Sequence, residues 1–269
     1  MSAPGAILEA NGLDKRFGAV TAAAGISAAF DPHTVTGLIG TNGAGKTTFV
    51  NMITGYLKPD HGTITFRGRN ITALRPREVT RIGICRSFQI PQLYNTLTVR
   101  ENLVVALGIV LHNSRKSFLA RAPRTVPGHS GTLAESADAM LERFGLSDYR
   151  DRSAGVLPEG VRKLADIAMA LVVRPDVLLL DEPTSGVSSD EKFEIMDRVM
   201  NAVRTDGVTV LFVEHDMDIV ARYAQRVLAF YEGRILADGG VASVLGNEEV
   251  RRYVIGGAHA AGIPEAVGA

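Results

Sequence analysis

Residues 40–47 carry the side chains and spacing best suited to chemistry in this 269-residue chain. They read G-T-N-G-A-G-K-T, the pattern G-x-x-x-x-G-K-[ST], between a predicted strand over 35–39 and a predicted helix from Lys46. Glycines at this spacing let successive backbone N–H groups turn into one loop, and the helix N-terminus adds partial positive charge. The segment is therefore predicted to hold a polyphosphate; the alternative is a glycine-rich turn that only precedes a helix.

Individual residues of this loop are predicted to have different tasks. Lys46 is expected to reach the β- and γ-phosphates of a nucleotide, and the hydroxyl of Thr47 to ligate Mg²⁺. The full set of nucleotide-binding residues predicted here is Gly40, Asn42, Gly43, Ala44, Gly45, Lys46, Thr47 and Thr48.

Two carboxylates follow the apolar run 177–180. At the end of a buried strand, Asp181 is predicted to hold Mg²⁺, and Glu182 to polarise the water that attacks the γ-phosphate. A strand followed by an acidic turn is common by itself. In the same chain as the phosphate loop, the pair indicates hydrolysis of a nucleoside triphosphate.

Short apolar strands alternate with amphipathic segments around these motifs. Strands are predicted over 177–180, 208–213 and 227–230, with helices over 162–173 and 191–204 and after His215. Uninterrupted apolar strands between helices predict an α/β fold with a mainly parallel sheet buried on both faces. Residues 89–160 break this pattern with helices over 97–111 and 133–144, and the basic stretch 115–131 between them is predicted to be an exposed loop.

Composition excludes several other classes. Lys plus Arg and Asp plus Glu number 29 each, so no net charge favours nucleic acid or an anionic membrane surface. Cys85 is the only cysteine, which excludes an intrachain disulfide and suits a reducing cytoplasm. The longest apolar stretch, 103–111, falls short of the roughly 20 residues that span a bilayer. The first residues lack a basic region and an apolar block, so no secretory signal is predicted.

The phosphate loop and carboxylates, together with the runs GLIGTNGAGKTTFVNMITGYLKPDHGTITFRG, LTVRENL and FVEHDM, resemble the ATP-binding subunits of ABC transporters. Within that family they look most like branched-chain amino-acid uptake ATPases, over about residues 6–256. The resemblance implies a P-loop NTPase core (1–88 and 161–240) with an N-terminal antiparallel β sub-domain. It also implies an inserted α-helical sub-domain (89–160), then a C-terminal helix and tail (241–269). It implies hydrolysis of ATP with Mg²⁺, coupled to import of a branched-chain amino acid or related small polar or amide compound.

Four further site residues follow from the resemblance alone. Phe17 is similar to the aromatic residue on which the family stacks adenine. Gln89 resembles the glutamine that senses Mg²⁺ and the attacking water. His215 resembles the switch histidine that contacts the γ-phosphate. Gly160 belongs to the signature segment, whose N–H binds the γ-phosphate of ATP held by the opposite subunit.

Two segments depart from the family pattern. The signature usually reads Leu-Ser-Gly-Gly-Gln, whereas residues 157–161 here read Leu-Pro-Glu-Gly-Val, without the hydroxyl and with an added negative charge. Ser188 stands where most members have aspartate. We therefore hypothesise that, in a heterodimer, the site built on this chain's phosphate loop hydrolyses ATP and the partner's site is slower.

The resemblance also implies partners and location: transmembrane permease subunits, a second ABC ATPase subunit (identical or different), an extracytoplasmic solute-binding protein, and a peripheral place on the cytoplasmic face of the inner membrane. No nucleic-acid partner is expected.

A non-transport ABC ATPase is an alternative, but the long coiled coil or tandem cassette typical of those proteins is missing. A nucleotide kinase would leave Gln89, residues 157–160 and His215 unexplained. A low-activity regulatory subunit is favoured by Pro158 and Ser188 and opposed by Glu182.

Overall fold

A computed structural model of the chain describes residues 5–87, 91–113, 128 and 131–256. These residues form two compact units. The first comprises the described residues up to Ile84 and from Gly207 onward, and the second comprises those between Cys85 and Asp206. The predicted limits of the P-loop core, the helical sub-domain and the C-terminal region stay a prediction. The two compact units are defined by their internal contacts and do not correspond to these functional regions.

The secondary structure alternates along both units. The strands are β1 (Leu8–Phe17), β2 (Val20–Phe30), β3 (Val35–Gly40), β4 (His61–Phe66), β5 (Arg69–Asn70), β6 (Ile84–Arg86), β7 (Val177–Asp181), β8 (Thr209–Val213), β9 (Arg226–Tyr231) and β10 (Arg234–Gly240). The α-helices are α1 (Lys46–Ile53), α2 (Pro76–Arg81), α3 (Val99–Asn113), α4 (Leu133–Arg143), α5 (Glu159–Leu171), α6 (Ser189–Asp206), α7 (Met217–Tyr223), α8 (Val241–Gly246) and α9 (Glu248–Val250). Single turns of 3₁₀ helix cover Ser147–Tyr149 and Ala154–Val156, and Arg251–Ile255 form a π-helical turn.

The first unit contains an antiparallel sheet in the order β2-β1-β4-β5. Leu8, at the start of β1, lies opposite both Phe30 and Phe66, and all three side chains are buried. Strand β1 is a single element from Leu8 to Phe17. The register of β1 shifts near Leu13, and such bulges break the alternation by which a continuous strand is recognised.

The second sheet of this unit has the order β10-β9-β3-β8. Strand β3 pairs in parallel with both β8 and β9, and β10 adds an antiparallel edge. All residues of β3 and β8 are buried, as the uninterrupted apolar runs predicted. With the antiparallel sheet and the helices, this confirms the predicted α/β class.

Helix α1 is anchored by aromatic packing. Phe49 lies between Phe30 of β2 and Phe230 of β9, with ring centroids 6.2 and 5.5 Å away and tilted ring planes. All three side chains are fully buried, and tilted aromatic pairs at these separations are favourable beyond the area they bury. The start of α1 is thereby fixed against both sheets of the first unit.

In the second unit, β6 lies beside β7, where the N–H of Ser87 donates to the carbonyl oxygen of Leu179 at 2.9 Å. Helix α5 packs on β7, α3 and α6, and it begins three residues before its predicted start at 162. Cys85 of β6 is buried, and burial raises the pKa of its thiol to about 12, so this cysteine is inert as a nucleophile at neutral pH. Among the described residues, no helix combines the length and apolarity required to cross a bilayer.

Candidate functional site

The glycines of the phosphate loop are required by its backbone. After β3 ends at Gly40, Gly43 and Gly45 take left-handed conformations, with φ of 80° and 105°. A Cβ on Gly45 would come within 2.7 Å of the carbonyl oxygen of Ala22, and one on Gly40 within 2.6 Å of that of Phe230. Side chains at these two positions would displace neighbouring backbone, so the loop closes only with glycine there.

The ammonium of Lys46 is held inside this loop. The residue is 5% exposed, and its Nζ donates to the carbonyl oxygens of Gly40 at 2.6 Å and Thr41 at 3.0 Å. Around it, Ala44 is buried and Thr48 is half-buried. The outer side of the loop exposes Asn42, Gly43 and Thr47. The loop therefore combines the positive charge of Lys46 with exposed backbone N–H groups at the start of a helix. This combination is suited to binding an anion.

The same loop is hydrogen-bonded to the turn between β9 and β10, and that turn is hydrogen-bonded to β2. The N–H of Gly233, in the turn between β9 and β10, donates to the carbonyl oxygen of Ala44 at 3.0 Å. The carbonyl of Gly233 in turn accepts from the N–H of Ala24 in β2 at 2.8 Å. Backbone atoms from three separate chain segments therefore define the position of the loop.

His215 lies at the same sheet edge as the phosphate loop. It follows β8, which runs parallel to β3 with Val213 opposite Leu38, so both strands end on one side. The N–H of the preceding Glu214 donates to the carbonyl oxygen of Leu38 at 3.3 Å. Glu214 is buried, and its carboxylate accepts from the backbone N–H of His215 at 3.1 Å. His215 itself is exposed.

Phe17 lies on the antiparallel sheet, at the end of β1. Its side chain is 52% exposed, and the ammonium of Lys15 lies 5.8 Å from the ring centroid. An exposed flat ring can stack on a planar ligand. The structure therefore places Phe17 on a different sheet from the phosphate loop and His215.

Asp181 in the second unit is paired with a basic side chain that the sequence analysis did not single out. It is the last residue of β7 and 8% exposed, and its Oδ2 accepts from the guanidinium of Arg86 on β6. Both side chains are almost wholly buried, at 9% and 10% exposure. Nothing in the sequence position of Arg86 indicates that it meets Asp181, 95 residues away.

Glu182 follows with an unusual backbone. Its φ of 49° is left-handed, a conformation that costs a non-glycine residue of order 1–3 kcal/mol. Its carbonyl oxygen accepts from the N–H of Ser185 at 3.1 Å and from the Nζ of Lys163 at 2.8 Å. Lys163, on α5, is a second residue that the sequence analysis missed.

The signature segment forms the start of α5 despite its proline. Pro158 is the N-cap with extended backbone and Glu159 is the first helical residue, where a carboxylate suits the helix dipole. Gly160 is half-buried, and a Cβ there would come within 3.0 Å of the side chains of Val187 and Ile195. The N-terminus of α5 is thus closely packed against residues of its own unit.

Ser188 has a local structural task. Its hydroxyl donates to the carboxylate of Glu191 at 2.7 Å and accepts from the backbone N–H of the same residue at 3.4 Å. These bonds satisfy groups at the start of α6, as a capping side chain does. A serine at this position is therefore explained by the helix start.

Gln89, predicted to contact both Mg²⁺ and the attacking water, lies outside the described residues. In the part of the chain that is described, no three His, Cys, Asp or Glu side chains cluster as a metal site would require. Any metal held by Asp181 or Thr47 would therefore take its remaining ligands from phosphate and water, as Mg²⁺ commonly does in nucleotide sites.

Comparison with known proteins points to one family. The family profile described as ABC transporter matches residues 23–185. The chain is 36% identical over 256 residues to the high-affinity branched-chain amino acid transport ATP-binding protein LivG of Salmonella typhimurium, covering 95% of this chain and 99% of that protein. It is 34% identical over 248 residues to the probable branched-chain amino acid transport ATP-binding protein LivG of Methanocaldococcus jannaschii, covering 92% and 93%.

Solved structures agree with the sequence relatives. The ADP conformation of MJ1267, an ATP-binding cassette of an ABC transporter, matches with a TM-score of 0.78 and 34% identity over 91% of this chain and 96% of that one. The structure of cbiO1 from Clostridium perfringens, part of the ABC transporter complex cbiONQ, matches with a TM-score of 0.77 and 29% identity over 91% and 93%. On the matching profile and these relatives, the chain belongs to the ABC transporter family and is one of its ATP-hydrolysing subunits.

Proposed function

We propose that this ATPase energises the import of branched-chain amino acids or of closely related small polar or amide compounds. The observation that carries the proposal is the 36% identity to the LivG protein of Salmonella typhimurium across 99% of that protein's length. All ATPases of the family share the nucleotide-binding motifs. The identity to LivG also covers the residues outside these motifs, so it is more specific than membership of the family.

In this proposal each site residue has a defined task. Lys46 and the N–H groups of the phosphate loop bind the triphosphate, and Phe17 stacks on adenine. The side-chain oxygens of Thr47 and Asp181 are of the hard type that Mg²⁺ prefers, and the ion would neutralise phosphate charge. Glu182 accepts a proton from the attacking water, and His215 and Gln89 contact the reacting end of the nucleotide.

The proposed assembly contains two ATPase subunits that share two nucleotides. Gly160 at the start of α5 would donate its N–H to the γ-phosphate bound by the opposite subunit. The γ-phosphate then holds the dimer closed, and its removal releases the contact. Transmembrane permease subunits and an extracytoplasmic solute-binding protein complete the proposed transporter. The chain would lie on the cytoplasmic face of the inner membrane.

A growth and uptake experiment tests the substrate. Deleting the gene for this chain in its host is expected to abolish high-affinity uptake of labelled leucine, isoleucine and valine. The wild-type gene should restore uptake, and a gene carrying Lys46→Ala should not. Unchanged uptake of all three amino acids, with loss of another small solute, would contradict the proposed substrate and leave the ATPase assignment intact.

Restoring the signature is expected to raise the ATPase rate of a homodimer of this chain. In such a dimer both sites use the segment that lacks the serine hydroxyl. A hydrogen bond to a charged group contributes about 1.5–3 kcal/mol, so Pro158→Ser combined with Glu159→Gly should accelerate hydrolysis about 10- to 150-fold. Serine is also a favoured N-cap, so α5 should still begin at the same place.

Pro158→Ala combined with Glu159→Gly is the matched control, since it differs from the restored signature only in lacking the hydroxyl, and a much smaller acceleration is expected from it. Steady-state ATPase assays on the purified proteins make the comparison. If the variant with the restored signature hydrolyses ATP no faster than the unmodified chain, the signature is not weakened, and the hypothesis of unequal sites loses its basis.

A further inference from the structure

Lys163 is a buried charge whose position suggests a task in catalysis. It lies on α5 with 4% exposure, and its ammonium donates to the carbonyl oxygen of Glu182 at 2.8 Å and to the hydroxyl of Ser185 at 2.7 Å. Taking an ammonium out of water is costly unless acceptors surround it. Here the acceptors are main-chain and side-chain oxygens of the segment that begins with the proposed general base.

The bond from Lys163 acts on the peptide group directly after Glu182. The same carbonyl oxygen accepts from the N–H of Ser185, so two donors fix the orientation of one peptide plane. Glu182 needs this support because its left-handed backbone is unfavourable for a residue with a side chain. The orientation of the peptide determines where the Cα–Cβ bond points, and therefore where the carboxylate lies.

Lys163 also lies close to the signature along the same helix. Gly160 and Lys163 are three residues apart on α5, so they lie on the same side of the helix in successive turns. The start of α5 is packed tightly, because a Cβ on Gly160 would come within 3.0 Å of Val187. A small movement of the signature is therefore carried along a rigid helix to the ammonium one turn later.

We propose that Lys163 is a positioning residue for Glu182, linking the signature helix to the carboxylate that primes water. The inference rests on the proposed function, in which Gly160 meets the nucleotide of the opposite subunit and Glu182 serves the nucleotide of its own. Lys163 then joins the two nucleotide sites of the dimer through one side chain. The ATP held by one subunit, through contact with α5 of the other, orients the general base of that other subunit.

Lys163→Met tests this inference, because methionine has nearly the same length and no donor. Single-turnover hydrolysis of bound ATP is expected to slow about 10- to 150-fold, the effect of one lost hydrogen bond from a charged donor. The affinity for ATP should change by less than about twofold, since only orientation in the transition state is lost. Lys163→Arg, which retains a cation with several N–H donors, should recover a large part of the rate.

Ser185→Ala is the matched control. It removes one acceptor of Lys163 and leaves the bond to the carbonyl of Glu182, so its hydrolysis rate should stay close to that of the wild type. Thermal melting and ATP titration of every variant establish that it is folded. If Lys163→Met does not fold, Lys163→Leu replaces it under the same criteria, since leucine also lacks a donor.

Two results separate failure of this inference from failure of the proposed function. A folded Lys163→Met protein that hydrolyses ATP at the wild-type rate, alongside an inactive Glu182→Gln protein, overturns the role of Lys163 only. A Glu182→Gln protein that remains fully active overturns the role of Glu182, and the inference about Lys163 with it. Equal loss of ATP affinity and rate in Lys163→Met shows a general structural role and also overturns the inference.

Discussion

Replacing Glu182 by glutamine is expected to lower the rate of ATP hydrolysis by about 10²–10⁴-fold, the usual contribution of a general base. Glutamine has the same shape as glutamate, so the half-buried position and the left-handed backbone are retained. The amide cannot accept a proton from water at neutral pH. ATP binding should be preserved, because the loop around Lys46 belongs to the other compact unit and is unchanged.

Single-turnover hydrolysis and nucleotide titration on the purified protein measure these two effects separately. Glu249→Gln provides a control, since Glu249 is an exposed glutamate near the end of the described chain. A Glu182→Gln protein that hydrolyses ATP within about tenfold of the wild type would show that another group takes the proton.

Replacing Arg86 by methionine is expected to lower the free energy of unfolding by about 3–5 kcal/mol, as breaking a buried ion pair does. Asp181 would remain in the interior as a carboxylate without the guanidinium that now neutralises it. Both side chains are at most about a tenth exposed, so water cannot replace the lost partner. Urea titration followed by circular dichroism provides the measurement.

Two variants show whether burial causes the effect. Arg86→Lys keeps the positive charge and should lose less stability than Arg86→Met. Arg81→Met removes an arginine that is exposed on α2, where an ion pair contributes about 0–1 kcal/mol, so its effect should be small. Equal losses in Arg86→Met and Arg81→Met would mean that the pair with Asp181 contributes no more than a surface contact.

The strands and helices that depend on a local sequence pattern could be predicted. The uninterrupted apolar runs correspond to β3, β7, β8 and β9, and the helix expected from Lys46 begins there. Strand β2 was not predicted, because its sequence VTAAAGISAAF is rich in small residues with weak strand preference. It forms because it pairs along its length with β1, a contact that local sequence does not show.

The same distinction applies to the candidate site. The phosphate loop and the two carboxylates are contiguous motifs, so their residue types and spacing could be recognised directly. Arg86 and Lys163 act on residues 95 and 19 positions away, and each has a bulk and charge that would suit an exposed position equally well. Only the packing of β6 beside β7 and of α5 on β7 reveals what these two residues hold.

The backbone bonds that join the turn at Gly233 to Ala44 and to Ala24 have a consequence for how such a protein can diverge. A Cβ on Gly45 would come within 2.7 Å of the carbonyl oxygen of Ala22 and one on Gly233 within 3.2 Å, so a side chain at either glycine would displace β2. Chimeras that exchange the β1–β2 hairpin with a relative's should therefore fail unless the β9–β10 turn is exchanged too. The β1–β2 hairpin and the β9–β10 turn are therefore expected to change together among relatives, although they are far apart in the sequence.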